Sequence, residues 1–253
     1  MLDTWRTLRG ITRSLRIYYG SAERRTAMDR LYRMFLKPGD LVFDVGAHVG
    51  DRVASFRRLG ARVIAVEPQP ALIKTLNVLY GRDAAVRIEP LAIGNRIGSI
   101  ELNLNLRNPT ISTASNAFMQ AAHNAPGWKG ERWAKSIQVE VTTFDALIAR
   151  HGMPAFIKID IEGLEAEALC GLSRAVRALS FEFTTIQPEI TAACIRRCAA
   201  LGYAKFNAMI GEQLALVHEG WLSANEIASW TAKLPLCTNS GDIYAMLNAA
   251  EPG

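Results

Sequence analysis

Short, mainly apolar runs recur along most of the chain, at residues 41–45, 63–66, 85–88, 156–159 and 181–183. Their length and their Val, Ile and Phe content predict buried strands. Helical spacing of apolar residues follows or separates them, over 49–59, 70–80, 164–172 and 188–201. Pro70 and Pro188 open two of these segments, where a residue lacking an N–H is tolerated. Strand–helix alternation of this kind predicts an α/β fold: a mostly parallel central sheet with helices on both faces.

Two stretches break the alternation. Residues 98–106 interleave Ile100, Leu102 and Leu104 with polar positions, and 137–141 alternate likewise, so each predicts a half-exposed strand. The intervening segment, at about 107–136, is polar and carries Pro109, Pro126, Trp128 and Trp133. It is expected to be a lid over a site or a disordered loop. Residues 1–34 read as an amphipathic helical extension to a domain spanning 35–253. Arg6, Arg9, Arg13 and Arg16 share one face, and Trp5, Leu8, Ile11 and Leu15 the other. That apolar face has two uses: docking on the domain, or weak contact with a membrane surface or partner.

Composition narrows the class. Hydrophobic residues make up 49% of the 253 and charged residues 21%, enough to bury an ordinary core. No window of about 18 apolar residues is present, nor a secretory apolar stretch, so a cytoplasmic protein is expected. A formal net charge of +5 is too small to point to nucleic acid. The four cysteines form no CxxC pair. Cys194 and Cys198 stand four apart on a helical segment, but their neighbours Ile190, Ala193 and Leu201 favour core packing over metal binding.

The informative chemistry begins at Leu-Val-Phe-Asp-Val-Gly-Ala-His-Val-Gly, residues 41–50. A strand runs into Gly46 and Gly50 and a helix follows, so free N–H groups at the helix start face whatever binds there. A dinucleotide site would show G-x-G-x-x-G with a pyrophosphate on the helix. Gly46-Ala47-His48-Val49-Gly50 lacks that triple, and Asp44 would repel a pyrophosphate while attracting an ammonium. The second strand ends in Val66-Glu67-Pro68, and an acid there can accept from both ribose hydroxyls. Asp44, the glycines and Glu67 thus describe adenosine joined to a zwitterionic amino acid, S-adenosylmethionine.

On these residues the chain resembles the FkbM-type methyltransferases. The resemblance runs from about residue 41 to 246. It is carried by Phe-Asp-Val-Gly-Ala-His-Val-Gly, by Ala-Val-Glu-Pro-Gln-Pro, by Pro-Leu-Ala-Ile-Gly at 90–94 and by Phe-Glu-Phe at 181–183. Its most specific block is Phe-Ile-Lys-Ile-Asp-Ile-Glu-Gly-Leu-Glu at 156–165. His48 departs from the family, which more often has Asn there. The resemblance implies a Rossmann-like class I methyltransferase fold, S-adenosylmethionine as cofactor, and O-methylation of a hydroxyl on a sugar, glycolipid or natural product. The cofactor residues expected are Asp44, Gly46, Ala47, His48, Gly50, Glu67, Pro68, Ala92 and Asp160.

In the 156–165 block, Phe156, Lys158 and Asp160 point to one face of the strand and Ile157 and Ile159 to the other. Charges on a buried strand need partners, and Glu182 is a candidate partner for Lys158. Asp160 falls at the carboxyl end, where open α/β sheets place ligands. Methyl transfer to a hydroxyl needs alignment and removal of a proton. Asp160, His48, His123 and Glu182 are the candidates for that work, with a solvated loop as the ordinary setting for His123. Trp128 and Trp133 are suited to stacking on a sugar or to anchoring their segment. His151 and His218 read as surface residues. Asp160, Glu162 and Glu182 offer oxygen ligands for a metal-assisted variant, but their spacing is no metal signature, so no metal ligand is assigned and metal dependence stays open. Two rival readings stand beside methyl transfer: a binding module on the same fold without catalysis, and a nicotinamide-dependent oxidoreductase. The acceptor and the oligomeric state are not legible.

Overall fold

The structure is a computed structural model and describes residues 2–123 and 125–248. Two helices, α1 (Leu2–Tyr19) and α2 (Ala22–Tyr32), precede β1 (Leu41–Val45), α3 (Asp51–Arg58), β2 (Arg62–Val66), α4 (Pro70–Tyr80) and β3 (Val86–Glu89). A short β4 (Ala92–Ile93) leads to β5 (Gly98–Leu104), α5 (Asn116–His123), β6 (Lys135–Thr142) and α6 (Phe144–His151). The second half runs β7 (Phe156–Ile159), α7 (Glu165–Cys170), β8 (Ala178–Thr184), α8 (Pro188–Ala200), β9 (Tyr203–Ile210), α9 (Ala224–Thr231) and β10 (Ser240–Leu247).

Seven strands form one sheet in the order β3-β2-β1-β7-β8-β10-β9. Only β10 runs against its neighbours, pairing antiparallel with both β8 and β9. Each face is covered. Phe43, Ile157, Ile159, Leu179 and Phe181 pack with residues of α6 to α9, where Cys194 and Cys198 are buried as core. Val42, Val63, Ala65 and Phe156 pack on the opposite face with Phe56 of α3, Leu76 of α4 and Met28, Leu31 and Tyr32 of α2. This is the doubly wound, Rossmann-like arrangement expected. The order reverses between β1 and β7, and a crevice opens beyond the carboxyl ends of strands at such a switch point.

The two half-exposed strands pair with each other. β5 runs antiparallel to β6, which also holds β4, as a separate three-stranded sheet. The described part of the segment between them carries α5 and packs on itself. Ile111, Phe118, Ala122 and Trp128 bury against one another in a small core of their own, which supplies the apolar area that a polar loop would lack.

The N-terminal helices are built into the domain. Ile11 and Leu15 of α1 pack with Val49 and Leu72, and the Tyr19 hydroxyl donates to the Val49 carbonyl oxygen at 3.0 Å. The membrane expectation attaches to the outer half of α1, where Trp5 is 67% and Leu8 53% exposed. Among the described residues no helix is long and apolar enough to cross a membrane.

One glycine holds the crevice together. Gly46 has φ +79, and a Cβ there would overlap the backbone oxygen of Asp160. Gly46→Ala is therefore expected to lower stability by roughly 3 kcal/mol or more, because neither backbone can yield. Gly98→Ala meets nothing within 4 Å and should stay within about 0.5 kcal/mol of the parent. Urea denaturation of the three proteins makes the comparison; an unshifted midpoint for Gly46→Ala would contradict it.

Candidate active site

The loop after β1 is stitched to the end of β2. The N–H groups of Gly46 and Ala47 donate to the Val66 carbonyl oxygen at 3.0 and 3.1 Å. Glu67, 2% exposed, accepts from His48 N–H at 3.0 Å and from Gln69 N–H at 2.8 Å, one on each carboxylate oxygen. His48 itself sits at φ +49. That left-handed geometry favours Asn, Asp and His among residues with a side chain, so His48 and the family's more usual Asn answer the same backbone demand.

Two cavities meet at Gly46, Glu67 and Gln69. The first, about 390 Å³, lies between Pro68, Leu91, Ala92, Ile161 and Leu164. The second, about 220 Å³, is lined by Asp44, Ala47, His48, Lys158, Asp160, Glu162 and Glu182, among others. The 107–136 segment roofs this second cavity with Thr110, Ile111 and Trp128. Gln69 fastens the roof: its Nε2 donates to the Pro109 oxygen at 3.0 Å and its Oε1 accepts from Ser112 Oγ at 3.1 Å.

Of the residues singled out in the sequence, Asp44, Gly46, Ala47, His48, Glu67, Asp160 and Glu182 line the second cavity, and Pro68 and Ala92 the first. Gly50 lines neither. It caps α3 at φ +81, and a Cβ there would come within 2.6 Å of the Tyr80 ring, so its place is set by packing. His123 also lines neither, lying exposed at the end of α5. Lys158 pairs with Asp160 at 2.5 Å, not with Glu182. Trp128 and Trp133 anchor their segment, their Nε1 groups donating to Asn239 Oδ1 at 2.8 Å and to the Ile111 oxygen at 2.7 Å. His151 and His218 are not plain surface residues: His151 lies 3.0 Å from Glu89, and His218 meets Trp230 edge-on.

Several lining residues carry no local sequence signal. Tyr18 reaches in from α1 and meets the His48 ring edge-on at 5.7 Å. Thr110 Oγ1 stands 3.3 Å from His48 Nε2. Arg52 is held by Asp51 and by Glu212, the latter at 2.8 Å.

Strand register explains the charge at this end of the sheet. Asp44 pairs with Lys158, Lys158 with Ser180, and one row on, Glu182 with Asp242. Burial pushes Asp44, Glu67 and Glu165 up to about 7 and Asp242 to about 6. Burial, with neighbouring carboxylates behind it, raises Glu162 and Glu182 well above the usual range. For Lys158 burial acts downward, but Asp160 and Asp242 outweigh it and hold the ammonium above its ordinary value. Burial lowers His48 to about 4, leaving a neutral imidazole.

These shifts set the pH dependence of folding. Between about pH 4 and 7 the folded chain holds protons on these acids that the unfolded chain has released, so stability falls as pH rises. His48 acts in the opposite sense, as do Glu212 and Asp29, whose carboxyls, despite burial, arginines hold below the usual range and which act mainly below about pH 5, but six raised acids outweigh them above it. The ligand-free protein should thus be less stable at pH 8 than at pH 5.5, and Asp44→Asn should shrink the difference and raise stability at pH 8. Urea midpoints at the two pH values measure this; a parent that gains stability toward pH 8 would overturn it.

The profile of the methyltransferase FkbM domain matches residues 44–214. No curated protein matches the chain in sequence. Among solved structures, magnesium protoporphyrin IX methyltransferase (ChlM) from Synechocystis PCC 6803 with bound SAM is similar at TM-score 0.46 and 10% identity, over 94% of this chain and 84% of that one. A TehB-like SAM-dependent methyltransferase from Corynebacterium glutamicum gives 0.44 and 11% over 88% of each. Precorrin-6y C5,15-methyltransferase from Geobacter metallireducens gives 0.42 and 11% over 88% and 87%. The family profile spans most of the sheet and, apart from Tyr18, Asn239 and Ser240, the residues that line the two cavities, and the chain accordingly belongs to the FkbM family of S-adenosylmethionine-dependent methyltransferases.

Proposed function

We propose that the chain transfers a methyl group to a hydroxyl of a small molecule or glycan: a sugar, a glycolipid or a natural product. The observation that carries the reading is the junction of two cavities at Gly46 and Glu67: the first sets Pro68, Leu91, Ala92, Ile161 and Leu164 among polar side chains, and the second is rich in carboxylates. S-adenosylmethionine fits that junction on one further count. Both oxygens of Asp44, 1% exposed, lack a hydrogen-bond partner among the described residues, and a buried carboxylate in that state calls for a cation. The cofactor's ammonium is such a cation, and when bound the cofactor supplies an electrophilic methyl on a sulfonium.

Each residue then has a defined task. Pro68, Leu91 and Ala92 enclose the adenine in the first cavity. Glu67 keeps a lone pair on each oxygen for the ribose hydroxyls beyond the two backbone donors it already holds. Asp160, fixed by Lys158, orients the acceptor hydroxyl, which places its oxygen in line with the methyl. His48, neutral and inside the cavity, would take the hydroxyl proton as the methyl passes from sulfur to the acceptor oxygen, the S–C bond breaking as the C–O bond forms and S-adenosylhomocysteine leaving. Trp128 and the segment around it limit the entry of water.

Asp160→Asn keeps the shape and removes the charge. Its turnover should fall by about 10²–10⁴-fold in a single-turnover assay, while S-adenosylhomocysteine affinity stays within about threefold. The assay follows labelled methyl into lipid, glycan and small-molecule fractions of a cell extract. A wild-type rate in the folded variant would make Asp160 structural.

A further inference from the structure

The mechanism above leaves two acids unused. Glu162 and Glu182 stand twenty positions apart, beyond β7 and on β8, neighbouring parallel strands whose ends adjoin. Glu162 is 4% exposed and its Oε2 has no hydrogen-bond partner among the described residues; Glu182 Oε2 is likewise buried and unpartnered. Both side chains line the acid-walled cavity. Carboxylate oxygens of Asp160, Glu162 and Glu182 all lie within 4.8 Å of one another.

We propose that these three carboxylates hold one divalent cation at the floor of the acceptor cavity. Spacing agrees with a single ion: oxygens on opposite sides of Mg²⁺, Mn²⁺ or Ca²⁺ stand roughly 4–5 Å apart. The all-oxygen donor set selects hard cations over zinc or copper. Local cations are otherwise engaged. Lys158 takes Asp160 Oδ2 at 2.5 Å, which leaves the other oxygen for an ion, and Arg52 is bound to Asp51 and Glu212. The cofactor's ammonium, taken by Asp44, does not relieve Glu162 and Glu182. An acceptor oxygen in the cavity would bind such an ion and lose its proton to His48 more readily. This role for the ion rests on the methyl-transfer reading; the site itself does not.

The test uses the full chain, stripped with a chelator and titrated with Mn²⁺ by electron paramagnetic resonance, with and without S-adenosylhomocysteine. One Mn²⁺ per chain is expected, displaced by Mg²⁺, and weakened at least about tenfold in Glu162→Gln and in Glu182→Gln. Calorimetric binding of S-adenosylhomocysteine checks that each variant is folded. A second readout needs no variant: bound Mn²⁺ should broaden the resonance of ¹³C-methyl S-adenosylmethionine, which places the ion beside the methyl. Absence of Mn²⁺ binding at about 1 mM would overturn the proposal, as would binding that ignores both substitutions and leaves the methyl resonance sharp. Glutamine variants that gain stability while the parent binds no Mn²⁺ would assign the pair to a shared proton instead. Cofactor binding without Mn²⁺ would sink the ion alone. A parent that binds Mn²⁺ but neither S-adenosylmethionine nor S-adenosylhomocysteine would sink the methyl-transfer reading and leave the ion in place.

Discussion

Lys158 stands in the middle of the sheet, 2% exposed, with its ammonium 2.5 Å from Asp160 and Asp44 directly across the ladder. A buried ammonium persists only where carboxylates surround it, and removing one partner from such a pair costs several kcal/mol (about 3–5). The pair also fixes where the carboxyl edge of the sheet ends: Asp160 N–H donates to the Val45 oxygen, and Gly46 lies against the Asp160 carbonyl. The junction of β1 and β7 is thus a charged, rigid seam, and both cavities open from it.

That seam carries more negative charge than it can neutralise alone. Lys158 is hydrogen-bonded to Asp160, and Arg52 to Asp51 and Glu212, which leaves buried oxygens of Asp44, Glu162 and Glu182 with no hydrogen-bond partner among the described residues. Burial raises the carboxyls of all three, at a cost to stability as pH rises. A cationic ligand removes that cost when it binds. Stability and function therefore pull in opposite directions at Asp44, as expected where a site is preorganised for charge that arrives later.

Much of this was legible because the chemistry lies next to its own structural signal. Asp44 and Gly46 sit at the end of an apolar run, Glu67 at the end of the next, and Asp160 at the end of a third, so strand ends and ligand edge coincide. β9 and β10 were not legible. Lys205, Asn207 and Asp242 interrupt their apolar pattern, and β10 enters the sheet between β8 and β9 against its neighbours' direction. α9 had its marker in plain view, since Ser223 and Glu226 form a capping box. The internal packing of the 107–136 segment was not legible: Trp128 and Phe118 build its core at a spacing no helix or strand period reveals. Tyr18, Thr110 and Glu212 reach the site through tertiary contacts alone, and Glu162 meets Glu182 only because β7 and β8 are neighbours.

The central claim is that the seam is built for a ligand with an adenosine on one side and an ammonium on the other. Calorimetric titration with S-adenosylmethionine and with 5′-methylthioadenosine, which lacks the amino acid, tests it on the parent and on Asp44→Asn. The parent should bind S-adenosylmethionine about tenfold to a hundredfold more tightly than the truncated compound, and the difference should collapse in the variant. Equal affinity for the two compounds in the parent, or no response to S-adenosylmethionine, would contradict the account.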